Sequence, residues 1–253
     1  MKNSLKYIVS AALSLSLMCF IAACGKDDAA WPTSGRVRFF NAVADAPAAG
    51  LDLSIDGVST NLRTFLTPGT PLVDSTFKYS AGFPAISDSS YLYLLEGPHA
   101  IKVNTPVGTA TTTLSQNIDV AAGKTYTAFL ADSVSKMSLV VIQDVLPLAI
   151  TGQVSVRVMH LSANAPNVDV FVSGQSAFAN VPYKTATPFA QVRVDTGTVK
   201  GTINYEIRAA GAATSTLKGS LTGLVAGRVY TIVARGLVGK TPALGVSTII
   251  HGR

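Results

Sequence analysis

The residues of this chain best suited to acid–base or metal chemistry are its three histidines, at positions 99, 160 and 251. Two histidines near a carboxylate could hold a metal ion, but the sequence has no metal-binding spacing such as H-E-x-x-H. A Ser–His–Asp hydrolase would need its serine on a tight turn, and the G-x-S-x-G pattern of such a turn is also missing. His160 follows the predicted strand 156–159 and is interpreted as a hydrogen-bonded residue at a strand end. We therefore predict a non-enzyme with no catalytic residue, metal ligand or cofactor, and a hydrolase with a loop-built site is the less favoured alternative.

The first 23 residues have the pattern of a signal peptide. Lys2 and Lys6 provide the positive start, and residues 7–23 then carry no charge over 17 positions. A membrane-spanning helix needs about 20 apolar residues, so spanning is the weaker interpretation.

Cysteine chemistry is confined to this N-terminal region, because the only cysteines are Cys19 and Cys24. The segment Ile21-Ala22-Ala23-Cys24 resembles the lipobox of bacterial lipoproteins. That resemblance implies cleavage before Cys24, a lipid on its sulfur, and attachment to a membrane through that lipid. Cys19 would leave with the signal peptide, so the mature chain would have no thiol for a disulfide, a metal or a nucleophile.

Residues 24–34 are predicted to form a tether behind the lipidated cysteine. Lys26, Asp27 and Asp28 resemble the surface-export signal of Bacteroidota lipoproteins, and a plain solvated tether is the alternative. We expect a lipid-anchored protein of the outer membrane that is exposed at the cell surface.

Composition excludes two classes. The chain is 48% hydrophobic and only 13% charged, the reverse of a disordered protein. Its formal charge of +6 includes two lysines of the predicted signal peptide, and the remaining basic residues are scattered. Nucleic-acid binding needs clustered lysines and arginines on one face, so we do not expect a nucleic-acid partner.

An internal duplication covers the rest of the chain. Residues 36–57 resemble residues 155–174, and residues 122–127 resemble residues 226–231. We therefore predict two domains, a first repeat over 35–149 and a second repeat over 150–253.

Each repeat has the pattern of short strands. Apolar and polar residues alternate with period two in segments such as 51–55 and 192–194, and Gly, Pro, Asn and Asp interrupt them every 8–12 residues. No amphipathic helix is evident after the signal peptide. The predicted fold is all-β, with two tandem Ig-like β-sandwich domains.

The duplicated motif is R-V-x-H/N-x-x-x-x-A-P-x-x-D-V/L, which begins near Arg38 and Arg157. It resembles the motif of the domain of unknown function 4397 family in both copies. The first copy departs from the motif of the second by having Asn41 in place of His160. The resemblance implies secreted or envelope-attached β-domains and brings no established activity.

Two arginines and two aspartates are duplicated with the motif. Each lies between apolar neighbours on its strand, so we predict outward-facing structural pairs Arg38–Asp52 and Arg157–Asp169 on neighbouring strands. The alternative is a calcium site made from Asp45, Asp52 and loop carbonyls. The second copy has Asn in place of Asp45.

Aromatic residues suggest a second type of ligand. Tyr79, Phe83, Tyr91 and Tyr93 are close in sequence and could form a platform for sugars, but Tyr79 aligns with Tyr183, which favours packing. The overall expectation is a non-catalytic cell-envelope lipoprotein that displays two β-sandwich domains as a binding or scaffolding surface for an envelope protein or a glycan. The alternative is a carbohydrate-binding lipoprotein of a glycan-uptake system.

Overall fold

Strands form most of the chain from residue 34 onward. The computed structural model describes residues 33–60, 77–84, 86, 90–105, 112–194 and 201–252. The predicted signal peptide, Cys24, Lys26, Asp27 and Asp28 lie outside these ranges and stay predictions. Within them, the helical structure is one short 3-10 turn, and no helix is long and apolar enough to cross a membrane.

The first repeat forms two sheets. Its elements are β1 (Ser34–Asn41), β2 (Asp52–Ile55), β3 (Val58–Ser59), β4 (Gly82–Phe83), β5 (Leu92–Leu95), β6 (Gly97–Asn104), β7 (Thr112–Val120), β8 (Thr125–Ala131), the 3-10 turn Val134–Lys136 and β9 (Ser138–Gln143). One sheet has the order β4-β1-β8-β9, with β5 pairing further along β1, and the other has the order β3-β2-β6-β7.

The second repeat has the same arrangement. Its strands are β10 (Gln153–Leu161), β11 (Val168–Val172), β12 (Gln175–Val181), β13 (Ala190–Arg193), β14 (Gly201–Ala209), β15 (Leu217–Leu224), β16 (Val229–Arg235) and β17 (Gly245–His251). They form sheets of order β13-β10-β16-β17 and β12-β11-β14-β15. In each repeat the first strand pairs in parallel with a later one, β1 with β8 and β10 with β16. The predicted all-β fold with sandwich domains is confirmed.

A hydrophobic core lies between the two sheets of each repeat. Val37 and Phe39 of β1 point into the first core, and Val156 and Val158 of β10 point into the second. All four side chains are fully buried, and burial of such a side chain stabilises the fold by about 1.5–3 kcal/mol. Period-two alternation thus sends one face of each first strand inward.

A third hydrophobic cluster joins the two repeats. It consists of buried residues from the β1-containing and β10-containing sheets, namely Phe40, Ala42, Phe129, Ala131, Met159, Leu161, Val233 and Ile249. These side chains lie on the opposite face of their sheets from the two sandwich cores. The β1 and β10 sheets are therefore buried on both faces, and the four sheets stack as one body.

Equivalent hairpin turns show how closely the repeats match. The β2–β3 hairpin turns at Asp56-Gly57 and the β11–β12 hairpin at Ser173-Gly174. Asp56 and Ser173 have φ angles of 51° and 49°, and both glycines have φ of 79°. Two consecutive positive φ angles are typical of the two-residue turn that matches strand twist, and glycine adopts them without strain.

Candidate functional site

The duplicated arginines lie at the junction of the two repeats. Arg38 is fully buried and Arg157 is 3% exposed. Both occupy the strand face opposite to the sandwich core, as alternation predicted, but that face is covered by the other repeat. Alternation determines the face on which a charge lies and not what covers it.

The predicted pairs Arg38–Asp52 and Arg157–Asp169 are wrong. Arg38 lies in β1 and Asp52 in β2, and these strands belong to different sheets of the first sandwich. Arg157 in β10 and Asp169 in β11 are separated in the same way in the second. The two members of each pair therefore project from opposite sides of a sandwich.

Arg157 instead binds Asp144 of the first repeat. Its Nη2 donates to Asp144 Oδ1, and its Nε donates to Thr231 Oγ1 at 2.8 Å. Thr127 donates its hydroxyl to Asp144 Oδ2 at 2.7 Å. Burial raises the pKa of Asp144, and the Arg157 guanidinium and the Thr127 hydroxyl act in the opposite direction. This buried ion pair connects the end of β9 to β10 across the junction.

Arg38 makes the reciprocal contact from the first repeat. Its Nη1 donates to the carbonyl oxygen of Ile250 in the second repeat at 2.8 Å. Its guanidinium carbon lies 3.7 Å from the centre of the Tyr91 ring, and that of Arg157 lies 4.8 Å from the Phe189 ring. Each arginine therefore stacks on an aromatic ring of its own repeat and reaches into the other repeat.

Strand register shows that these contacts are duplicated. Val37 pairs with Leu92 and Val156 with Ala190, so Tyr91 and Phe189 occupy equivalent positions. Asp144 donates its backbone N–H to the Thr125 carbonyl, and His251 pairs with Val229. Thr125 and Val229 are equivalent in the duplicated blocks, so Asp144 and His251 are equivalent too.

Reciprocal contacts of this kind define an isologous interface, the type found in two-fold symmetric dimers. Here both sides of the interface belong to one chain. The duplicated tyrosines follow the same rule: Tyr183 donates to Asp132 of the first repeat at 2.9 Å, and Arg235 of the second repeat donates to Tyr79 at 3.4 Å.

Thr231, His251 and Asp144 lie next to one another in the order hydroxyl, imidazole, carboxylate, as in the catalytic triad of a hydrolase. Thr231 Oγ1 lies 2.7 Å from His251 Nε2, and His251 Nδ1 lies 3.6 Å from Asp144 Oδ2. Burial, Arg157 and Arg38 lower the pKa of His251 to about 2. An imidazole with that pKa is a poor general base at neutral pH, because a general base works best when its own pKa lies near the pH of the reaction. The hydroxyl of Thr231 is also fully buried.

A solvent-accessible cavity of about 380 Å³ opens beside this cluster. Phe189 and Arg157 line it, together with Gln143 and with Val145 of the segment that connects the repeats. Val145 is 71% exposed, and Leu148 in the same segment is 85% exposed. The buried polar contacts of the junction thus lie beside a cavity that is partly lined by exposed apolar residues. We call this cavity, which Gln143, Val145, Arg157 and Phe189 line with their neighbours, the seam groove.

Asp169 and Asp45, two of the aspartates considered in the sequence analysis, accept hydrogen bonds from backbone N–H groups. Asp169 accepts backbone N–H groups of Asn180 and Gly211 at 2.7 and 2.9 Å, and these bonds hold its pKa below the usual range. Asp45 accepts the Val134 N–H at 2.8 Å. The described residues contain no group of three or more His, Cys, Asp or Glu side chains placed to hold a metal ion.

The aromatic residues do not form a platform. Tyr93 is 72% exposed, whereas Tyr91 is buried and Tyr79 and Phe83 are half-buried. Tyr79 contacts the second repeat and Tyr91 stacks on Arg38. These positions agree with the packing interpretation.

Sequence reasoning missed Asp144 and Phe189, and it named His251 without its partners. Asp144 follows an apolar run and precedes Val145, and it lies outside the duplicated motif. The available signal was the apolar residue two positions after each arginine, Phe40 and Met159. Large apolar residues on the same face as a charge indicate that the face is covered.

Two solved structures show a weak likeness to this chain. One, described as alpha-glucan binding by a streptococcal virulence factor, is 12% identical, covers 80% of this chain and 92% of its own, and has a TM-score of 0.23. The other, a candidate cell adhesion protein from Bacteroides fragilis, is 14% identical, covers 84% and 96%, and has a TM-score of 0.20. At these TM-scores neither structure informs the function of this chain. No curated protein matches it.

The family comparison is decisive by contrast. The family described as a domain of unknown function, DUF4397, matches residues 35–171 and residues 155–248. The two matches together include both copies of the duplicated motif and all but the ends of the folded region. The chain belongs to the DUF4397 family.

Proposed function

We propose that this chain is a non-catalytic lipoprotein of the bacterial cell envelope. It is anchored in the outer membrane through Cys24 and displays its two packed sandwiches at the cell surface, as a binding or scaffolding surface for an envelope protein or a glycan. The observation that carries the proposal is the seam groove, an open cavity with exposed apolar side chains on a rigid support.

The state of the titratable groups supports a non-catalytic role. The arrangement that most resembles a catalytic triad, Thr231–His251–Asp144, is buried and contains an imidazole with a pKa of about 2. Asp144 is already bound to Arg157. Thr231, His251 and Asp144 belong to the junction of the repeats and are not among the residues that line the seam groove.

The rim of the seam groove supports a binding role. Single exposed apolar residues are common on protein surfaces, but apolar residues that adjoin a cavity indicate a contact site. Val145 lines the cavity, and Leu148 and Ile150 follow within the same connecting segment, 42% of Ile150 being exposed. The buried ion pair behind them keeps the rim in a fixed geometry, which reduces the entropy lost when a partner binds.

The anchoring part is tested with Cys24→Ala. The variant should lack the lipid and leave the detergent phase in which the wild-type protein partitions, because stable anchoring needs acyl chains. Unchanged partitioning would refute the lipoprotein assignment. A triple change of Lys26, Asp27 and Asp28 to alanine, assayed by protease accessibility on intact cells, tests surface exposure.

The binding part is tested with purified outer-membrane vesicles and the soluble domain pair. Val145→Ser combined with Leu148→Ser should weaken sedimentation with vesicles, whereas Val58→Ser, which alters an equally exposed valine elsewhere, should not. Loss of binding after protease treatment of the vesicles identifies a protein partner, and loss after periodate treatment identifies a glycan. Equal binding by the double variant and the wild type would refute the groove.

Carbohydrate binding is retained as the second candidate, because the Phe189 ring and the exposed Gln143 line the same cavity. An aromatic face and an amide suit the apolar and hydroxyl faces of a sugar. A glycan-array screen tests this candidate. Gln143→Ala should reduce any signal and Gln175→Ala, an exposed glutamine in β12, should leave it unchanged.

A further inference from the structure

A separate cavity lies inside the second sandwich, away from the seam groove. It has a volume of about 160 Å³. Val168, Ile207 and Ala209 line it from one sheet, and Ala234 and Gly245 line it from the other. The described residues around it include no Asp, Glu, Lys or Arg. The cavity is therefore an apolar space between the two sheets.

His160 contributes neither charge nor a free hydrogen-bonding atom to this cavity. Its Nε2 lies 3.1 Å from the Pro166 carbonyl oxygen, which can only accept, so Nε2 carries the hydrogen. Nδ1 then accepts the backbone N–H of Ser162 at 3.4 Å. Burial lowers the pKa of His160, which keeps the ring neutral.

Two lining residues carry a hydroxyl, Ser162 and Thr216, and Thr216 is exposed whereas Ser162 is buried. Ser162 is 1% exposed, and within the described part of the chain its Oγ has no hydrogen-bond partner. A buried hydroxyl without a partner costs free energy, and native proteins contain few of them. A hydroxyl in this position on the wall of an apolar cavity can bond a ligand that enters.

The first repeat fills the equivalent region with side chains. Val43 takes the place of Ser162, and Met137, which precedes β9, takes the place of Leu244, which precedes β17. Val43 and Met137 both belong to the buried core of the first sandwich. The shared fold therefore does not require an open space with a buried hydroxyl at this position, although the second repeat has one.

From these features we infer that the second sandwich binds a small, neutral, largely apolar molecule with a single hydrogen-bonding group, and that Ser162 recognises that group. The volume matches that of cavities which hold one benzene-sized ring, about 150 Å³. The lack of a charged lining residue disfavours ions, because an unpaired charge is costly in an apolar site. This inference goes beyond the surface role and does not depend on the anchor or on the seam groove.

The test uses the whole folded protein with labelled methyl groups, titrated with benzene and with phenol. Both probes should shift the methyl signals of Ile207, Ala209 and Ala234 and leave those of Val43 and Ile101 in the first core unchanged. Ser162→Ala should lower the affinity for phenol relative to benzene by about three- to tenfold, the range expected for one hydrogen bond.

Ala209→Leu should fill the cavity and weaken binding of both probes by at least about tenfold. Ala213→Leu, at an exposed position, is its matched control. If neither probe shifts the lining methyl groups up to its solubility limit, or if Ala209→Leu binds as the wild type does, the site is refuted. An unchanged phenol-to-benzene ratio in Ser162→Ala refutes recognition by the hydroxyl, and this variant decides the matter even if Ala209→Leu does not fold.

Discussion

The two repeats share strand order, hairpin turns and cross-repeat contacts, yet equivalent positions hold different residues, most notably in two places. At the junction the first repeat supplies Asp144 and the second supplies His251. At the end of the sandwich the first repeat has Val43 and Met137 in its core, whereas the second has Ser162 and Leu244 beside a cavity. The shared fold depends on backbone pairing between strands and on alternation of apolar residues, so these positions can change without loss of the fold. The unlike positions are therefore where the two repeats can differ in role.

The largest effect is expected for Asp144→Ala, because it removes one member of a buried ion pair. The variant leaves Arg157 buried without its carboxylate, which should cost about 3–5 kcal/mol in the free energy of unfolding. Urea denaturation measures this. Asp169→Ala, which removes a half-buried carboxylate bonded to two backbone N–H groups, should cost no more than about 1–2 kcal/mol.

A double variant sharpens the test of the junction. Asp144→Leu with Arg157→Met replaces the ion pair by apolar groups and should recover most of the stability lost in Asp144→Ala. If Asp144→Ala is as stable as the wild type, the ion pair is not what joins the repeats.

The next effect compares core residues at equivalent positions. Met137→Ala should destabilise the protein by about 2–4 kcal/mol, since it opens a new cavity in a filled core. Leu244→Ala should cost only about 1 kcal/mol, because Leu244 is half-buried and already borders a cavity. Equal losses in the two variants would contradict the view that the cores are filled differently.

Exchange of one residue between the repeats tests whether the two sandwich cores are filled differently at a single position. Ser162→Val gives the second repeat the residue of the first, removes the unpartnered hydroxyl and fills part of the cavity. It should raise the free energy of unfolding by about 1 kcal/mol. The reverse change, Val43→Ser, should lower it by about 1–2 kcal/mol. A thermal unfolding series over both variants decides whether the signs differ as expected.

The smallest effect is a pH dependence that arises from the His99–Asp56 pair of the first repeat. His99 Nδ1 and Asp56 Oδ2 lie 2.7 Å apart. The hydrogen bond to His99, with that from the Ala100 N–H, lowers the pKa of Asp56 below its ordinary 3.8. Burial lowers the pKa of His99, but the Leu95 carbonyl and Asp56 outweigh it and raise this pKa above 6.5.

These shifts define a pH window. The stabilisation from Asp56 is present above pH 3.8 and is lost as the pH falls through its lowered pKa, and that from His99 is present below pH 6.5 and is lost as the pH rises through its raised pKa. Asp56→Asn should therefore reduce stability by a few tenths of a kcal/mol near pH 5–6 and less at pH 3 or pH 9, since the pair is partly exposed. Ser173→Asn, at the equivalent turn of the second repeat, should show no such dependence. A difference that is constant from pH 3 to pH 9 would contradict the ion pair.

Local signals in the sequence were sufficient for the fold and insufficient for the site. Alternation in β2 and β11, the regular interruptions by Gly, Pro, Asn and Asp, and the duplicated motif predicted two β-sandwiches, because each of these signals is visible in the order of residues along the chain. The Arg157–Asp144 pair could not be predicted in this way. Its members belong to different repeats, and the face on which they meet depends on how two finished sandwiches pack. The cavity beside Ser162 results from small differences in how side chains fill the core of the second sandwich. A pattern of apolar and polar residues does not describe such differences.

The isologous junction has a consequence for how the chain can vary. In a dimer of two identical subunits, every substitution appears on both sides of the symmetry axis, so the position of Asp144 and His251 would hold the same residue twice. Joining the two copies in one polypeptide removes that constraint and also makes their association independent of protein concentration. One copy can then keep the carboxylate that holds the junction together while the other carries a neutral imidazole. Covalent linkage thus turns a symmetric contact into an asymmetric one, in which the two halves are free to specialise.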